Sequence, residues 1–341
     1  MSNIHYMSIL FLTGCSPQYT TSTANNTTTA TTSVTTGVST GTPTETTGTT
    51  PWTETHSTIT TTTTTTIETT TSTTETGTPP VSAVDYRLGG AHSFSSDSGN
   101  VSVGSCNISY ERFDPDTPVT DAVVVLSHGF ARGTAQMTGW AEDLAGWGFT
   151  VITPTLCHSS LWDTDHEQNG TDIKQMAANL GFNSVIYAGH SAGGLSSVIA
   201  GNEDPHAIGV IGLDVTDVEP KGTTAAAGLT VPFYGLFGES SDCNSNNNGI
   251  AVGYMASDAE MLHVTEADHC DFENETDWLC TTFCTGTNNT FTDDAIHRTV
   301  SGLLAAAAHA IVGLDDAQEH WWTSGGVYYD ALLSTGAVSV P

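Results

Sequence analysis

Positive charge is what this chain has least of. Six Lys plus Arg stand against 37 Asp plus Glu in 341 residues, a formal charge of −31 at pH 7. A nucleic-acid partner needs a cationic footprint, and none is encoded here. Anionic membrane surfaces are disfavoured for the same reason. Such self-repulsion is screened within roughly 8–10 Å at ~0.1 M salt, so salt is expected to stabilise the fold.

The first eighty residues lack the side chains that build a core. From Ser16 to Pro80 the chain is Thr-rich, with scattered Gly, Pro and Glu and no hydrophobic periodicity. That composition does not offset the entropy of folding, so residues 16–80 are expected to form a disordered tether, about 40–50 Å in root-mean-square span. Apolar content is 38% overall and gathers in residues 81–341, a length suited to one enzyme domain.

Cysteine is present in a suggestive count. Cys15 stands apart, leaving Cys106, Cys157, Cys243, Cys270, Cys280 and Cys284. Six in an exported domain predict three disulfides, with fifteen pairings open. Cys270, Cys280 and Cys284 lie close together, so a bridge there, or one back to Cys243, would pin the intervening loop. The run Ile9-Leu10-Phe11-Leu12-Thr13-Gly14-Cys15 resembles a bacterial lipoprotein signal, with Leu12 to Cys15 as its lipobox, although no Lys or Arg precedes it. The resemblance implies cleavage before Cys15, residues 1–15 as a signal segment, and a lipid anchor as the chain's membrane attachment. An extracellular or cell-surface protein in a bacterial envelope follows.

From Val81 onward, strands alternate with helices. Val101–Arg112, Asp121–Ser127, Phe149–Thr153, Ser184–Ala188, Ala207–Leu213, Val231–Phe237 and Met261–Glu266 read as strands. Trp140–Trp147, Asp172–Leu180 and Ser191–Ala200 read as helices, and Thr292 as the cap of a long helix reaching Ile311. Continuous apolar strands such as Ala122-Val123-Val124-Val125-Leu126 are those of a sheet buried on both faces. The expected class is α/β, a mainly parallel sheet covered by helices on both sides.

The segment Gly189-His190-Ser191-Ala192-Gly193-Gly194 joins a strand to a helix. This is a G-x-S-x-G nucleophile elbow in its required context, with Ser191 on a strained turn and glycines where a Cβ would collide. Of 13 histidines, His269 alone lies in the loop after the last core strand, where a base is needed. Asp214 and Asp242 both follow strands from which a carboxylate could orient that base, with Glu239 a third choice. His158 to Glu167 is polar, but its spacing fits no EF-hand, so it reads as a surface loop beside the substrate rather than a metal loop. Trp162 on it either lines a pocket or packs.

The segments Ser127-His128-Gly129-Phe130, Gly189 to Gly194, Gly212-Leu213-Asp214-Val215 and Asp268-His269-Cys270-Asp271-Phe272 resemble the α/β-hydrolase superfamily, in its chlorophyllase-like branch, akin to dienelactone hydrolases and polyester hydrolases. The resemblance implies Asp214 as the triad acid, with Val215 where chlorophyllases have proline. It also implies an oxyanion hole from the backbone N–H groups of Phe130 and Ala192. The expected activity is carboxylic-ester hydrolysis by Ser191, His269 and Asp214, without cofactor or metal, in a monomer. Short connections predict no large lid and an open site, suited to accessible or polymeric esters. An amidase, an acyltransferase, or a binding module on an inactive scaffold are the alternatives.

Overall fold

A computed structural model describes residues 83–284, 286 and 288–341. The expectations for residues 1–15 and 16–80 lie outside the described residues.

The chain enters through a hairpin, β1 (Phe94–Val103) and β2 (Cys106–Pro115). The alternation then builds β3 (Val123–Ser127), α1 (Thr138–Gly146) and β4 (Thr150–Pro154). A short excursion, β5 (Ser159–Ser160) and β6 (Asp163–Thr164), precedes α2 (His166–Asn179), β7 (Val185–His190) and α3 (Ala192–Glu203). There follow β8 (Ala207–Leu213), α4 (Lys221–Ala226), β9 (Phe233–Phe237), α5 (Ile250–Met255) and β10 (Ala259–Val264). The end of the chain forms α6 (Trp278–Phe283), α7 (Asp293–Ile311), α8 (Val327–Thr335) and β11 (Val338–Ser339).

Nine strands make one sheet in the order β1-β2-β4-β3-β7-β8-β9-β10-β11. The six from β4 to β10 are mutually parallel, and antiparallel strands flank them at both ends. The expected α/β class is what the structure has. Strand residues alternate between two covered faces. Val124, Leu126, Ile186 and Ala188 pack under α1 and α7, while Val123, Val125, Val185 and Tyr187 pack under α2. Both faces therefore demand apolar side chains, which is why β3 has no polar position before Ser127.

The single strand expected over Val101–Arg112 is a hairpin instead. Gly104 at φ +57° opens a two-residue Gly-Ser loop that puts Val103 opposite Cys106. Helix α2 starts six residues earlier than expected because the Asp165 carboxylate accepts from the Gln168 N–H and caps it. The Thr292 cap of α7 is present, accepting from the Ala295 N–H. Such caps typically contribute ~1 kcal/mol.

Three disulfides form: Cys106–Cys157, Cys243–Cys284 and Cys270–Cys280. They suit an oxidising compartment. Among the described residues no helix is long and apolar enough to cross a membrane. All six cations are paired with carboxylates, Arg298 with Asp294 among them.

Candidate active site

In parallel strands every C-terminal end lies at the same edge of the sheet, so residues following β3, β7, β8, β9 and β10 converge there. Ser191, between β7 and α3, has φ 55° and ψ −122°, a conformation that costs a non-glycine residue on the order of 1–3 kcal/mol. Its N–H donates to the Leu213 carbonyl at 2.9 Å, and its own carbonyl accepts from Thr216 at 3.3 Å. These bonds fix the elbow against the end of β8. A Cβ at Gly189 would lie 2.5 Å from the Gly193 carbonyl oxygen, and one at Gly193 2.3 Å from that of His128. Neither position admits a side chain.

The turn after β3 lies against this elbow: a Cβ on Gly129 would sit 3.3 Å from that of Ser191. His128 braces the turn. Its Nε2 accepts from the Leu156 N–H at 3.0 Å, which leaves Nδ1 to carry the proton donated to the Gly129 carbonyl at 2.8 Å. Both bonds need a neutral ring, and burial lowers the His128 pKa to about 4. Among the described residues nothing accepts from the N–H of Phe130 or Ala192. Ala192 opens α3, where the helix leaves its first N–H groups unpaired and favours negative charge.

His269 lies beyond β10, and its Nδ1 is 2.6 Å from Asp214 Oδ2. Asp214 is fully buried. Its Oδ2 also accepts from Asn244 Nδ2 at 3.1 Å, and its Oδ1 from the Gly238 N–H at 3.1 Å. Three donors thus replace the water that burial removes. Asn244 is oriented in turn, its oxygen taking the N–H groups of Ser241 and Asn247. The structure brings Asp214 to the imidazole and leaves the two other candidates elsewhere. Asp242 is exposed, and Glu239 accepts from the Glu266 N–H.

His190 is fully buried, with its ring 4.4 Å from that of His269, centroid to centroid. Burial and the neighbouring His269 hold its pKa well below the usual imidazole value. Its 3.8 Å approach to Glu273 Oε1 is therefore a neutral contact rather than an ion pair. Glu273 belongs to Arg132: Nε–Oε1 is 2.6 Å and Nη2–Oε2 is 3.1 Å, with both side chains almost wholly buried. Burial raises the Glu273 pKa, and the guanidinium opposes that rise. Arg132 Nη1 also reaches Asp277 at 3.0 Å. This strut joins the turn after β3 to the segment after His269.

Sequence reasoning passed over Asn244, Arg132 and Glu273. One signal was available, since an arginine beside an oxyanion-type turn is conspicuous in a chain with only six cations. The bridges expected around His269 both form: Cys270 pairs with Cys280, one residue past His269, and Cys284 pairs back to Cys243. Trp162 does not pack against the fold. It is 95% exposed at the tip of β5–β6. Among the described residues no group of three or more His, Cys, Asp or Glu is placed to hold a metal ion. Ser191 and His269 each keep 7% of their surface exposed. Neither a family model nor a curated protein matches the chain.

Proposed function

We propose that this protein is a serine hydrolase of the α/β-hydrolase type that cleaves carboxylic esters through an acyl-enzyme. The observation that carries the reading is the 2.6 Å His269–Asp214 contact, at the same sheet edge as a serine held at a strained strand-to-helix turn. In this mechanism Ser191 Oγ attacks the carbonyl and passes its proton to His269 Nε2. Asp214 keeps the proton of His269 on Nδ1 and stabilises the imidazolium as it forms. The N–H groups of Phe130 and Ala192 receive the oxyanion, each donor being worth ~2.7–4 kcal/mol at the transition state. His269 then protonates the leaving alcohol, and water, deprotonated by the same ring, releases the acid.

The buried Asn244 and Gly238 donors favour this over an inactive scaffold, which has no need of a desolvated carboxylate aimed at an imidazole. Attachment to a bacterial surface through a lipidated Cys15 belongs to the same proposal, as does action as a monomer. The test is turnover of p-nitrophenyl esters. Ser191→Ala is expected to abolish it with little change in melting, and undiminished hydrolysis would place the nucleophile elsewhere.

A further inference from the structure

Only two tryptophans among the described residues are strongly exposed, Trp162 at 95% and Trp278 at 73%. Leu161 accompanies the first at 63% exposed, and Phe283 the second at 60%. Both groups leave the sheet at the edge that carries Ser191. The β5–β6 hairpin follows β4 and α6 follows β10, on opposite sides of β7 in the sheet order.

Both are also fastened to one turn. Ala131 N–H donates to the Ser159 carbonyl at 2.8 Å, and Ser159 Oγ to that of Gly129 at 3.2 Å. On the other flank Arg132 reaches Asp277, the N-cap of α6, at 3.0 Å. Phe130, between these attachments, is the residue whose N–H faces the oxyanion in the proposed mechanism.

The disulfides converge on the same two elements. Cys106–Cys157 closes two residues before the hairpin, Cys270–Cys280 enters α6, and Cys243–Cys284 closes behind it. These bridges close buried positions such as Cys106, Cys270 and Cys280, and they also hold the backbone beneath exposed aromatic side chains. Such crosslinking reduces the ordering cost of a contact made later, which is where rigid aromatic residues gain affinity. The carboxylates on these elements each have a cationic or imidazole partner, Asp163 in His158 and Asp277 in Arg132, and Leu161, Trp162, Trp278 and Phe283 are the exposed apolar side chains beside them. The surrounding acidity turns away anionic ligands.

We propose that Leu161 and Trp162 on one side, and Trp278 and Phe283 on the other, form a docking rim for an extended, uncharged ester. Its apolar or aromatic arms run both ways from the carbonyl that Ser191 attacks. The substrate arms rest on the serine-hydrolase reading above, but the rim itself is measurable without turnover.

The test combines Trp162→Ala and Trp278→Ala in the Ser191→Ala background and measures adsorption to neutral poly(ε-caprolactone) particles. The double tryptophan change is expected to raise the particle surface needed for half-adsorption about tenfold, whereas Leu88→Ser, at an exposed apolar site elsewhere, leaves it unaltered. With Ser191 restored, the kcat/KM ratio of a long p-nitrophenyl ester to the acetate should fall by a similar factor. Adsorption that never occurs, or that survives the double change, overturns the rim. A wild-type protein that adsorbs through the tryptophans yet hydrolyses no ester sinks the reading of Ser191 and leaves the rim standing.

Discussion

The two halves of the candidate site are held by different means. Ser191 is placed by regular structure: a buried strand, a turn crowded enough to require glycine, and a helix packed beneath. Asp214 follows the end of β8, and His269 opens a single 3₁₀ turn (His269–Phe272) capped by Asp268; both are placed by individual contacts, namely Asn244, the Arg132–Glu273 pair and two disulfides. Ser191 therefore inherits the rigidity of the core. His269 and Asp214 depend on a few long-range bonds, each removable by one substitution.

The largest expected effect falls on the half that holds His269 and Asp214. Asp214→Asn should cost about 10⁴ in kcat with melting unchanged, because the imidazole loses its reactive tautomer. Asp242→Asn should stay within roughly tenfold. Equal losses in both variants would break the distinction between the two carboxylates.

Next comes the strut. Arg132→Met leaves Glu273 buried without its partner, and severing such a pair costs on the order of 3–5 kcal/mol, visible as a lowered denaturation midpoint. Adding Glu273→Gln should recover most of that loss if desolvation is its source. No recovery would mean that Arg132 acts through packing alone.

Replacing Cys270 and Cys280 by alanine should cost about 2–4 kcal/mol and lower turnover besides, since the bridge begins one residue past His269. Replacing Cys106 and Cys157 should cost similar stability with a smaller loss of turnover on a short ester. Equal turnover losses would show the histidine loop to be no more dependent on its crosslink than the rest of the molecule.

The smallest effect is one of pH. Burial pushes His128 and His166 down to about 4 and lowers His190 as well, so the unfolded chain binds more protons than the folded one below pH 6.5. Stability from these rings is complete above that pH and is lost as pH falls towards 4. Asp271, in the histidine loop, has the opposite sign: burial beside Asp268 raises it to about 7, so its contribution is lost as pH rises towards 7. Asp271→Asn should therefore raise the melting temperature at pH 8 by a few degrees and leave it nearly unchanged at pH 4. The reverse pattern would mean that the carboxylate is stabilised in place.

This division also explains what could be read in advance. The elbow was legible because its sequence signature lies between Val185 and Glu203, and the parallel sheet because β3, β7 and β8 are continuously buried and largely apolar. His269 was legible from its place after the last core strand, although that strand, β10, ends at Val264 rather than Glu266. Strand ends alone left Asp214 and Asp242 level, and the resemblance chose between them. Arg132 and Glu273 are 141 residues apart, and no local pattern joins them. The bridge from Cys284 back to Cys243 was among the pairings that cysteine spacing suggested, and the fold forms it beside Cys270–Cys280. Helix α6 escaped notice because its aromatic side chains face outward and leave no buried periodicity to detect.

The central claim is that Ser191 is an activated nucleophile. It is tested most directly by treating the protein with a fluorophosphonate and mapping the adduct by mass spectrometry. The account predicts one label per chain, on Ser191, formed far more slowly in His269→Ala and absent in Ser191→Ala. A wild-type protein that stays unlabelled, or carries its label on another residue, would contradict it.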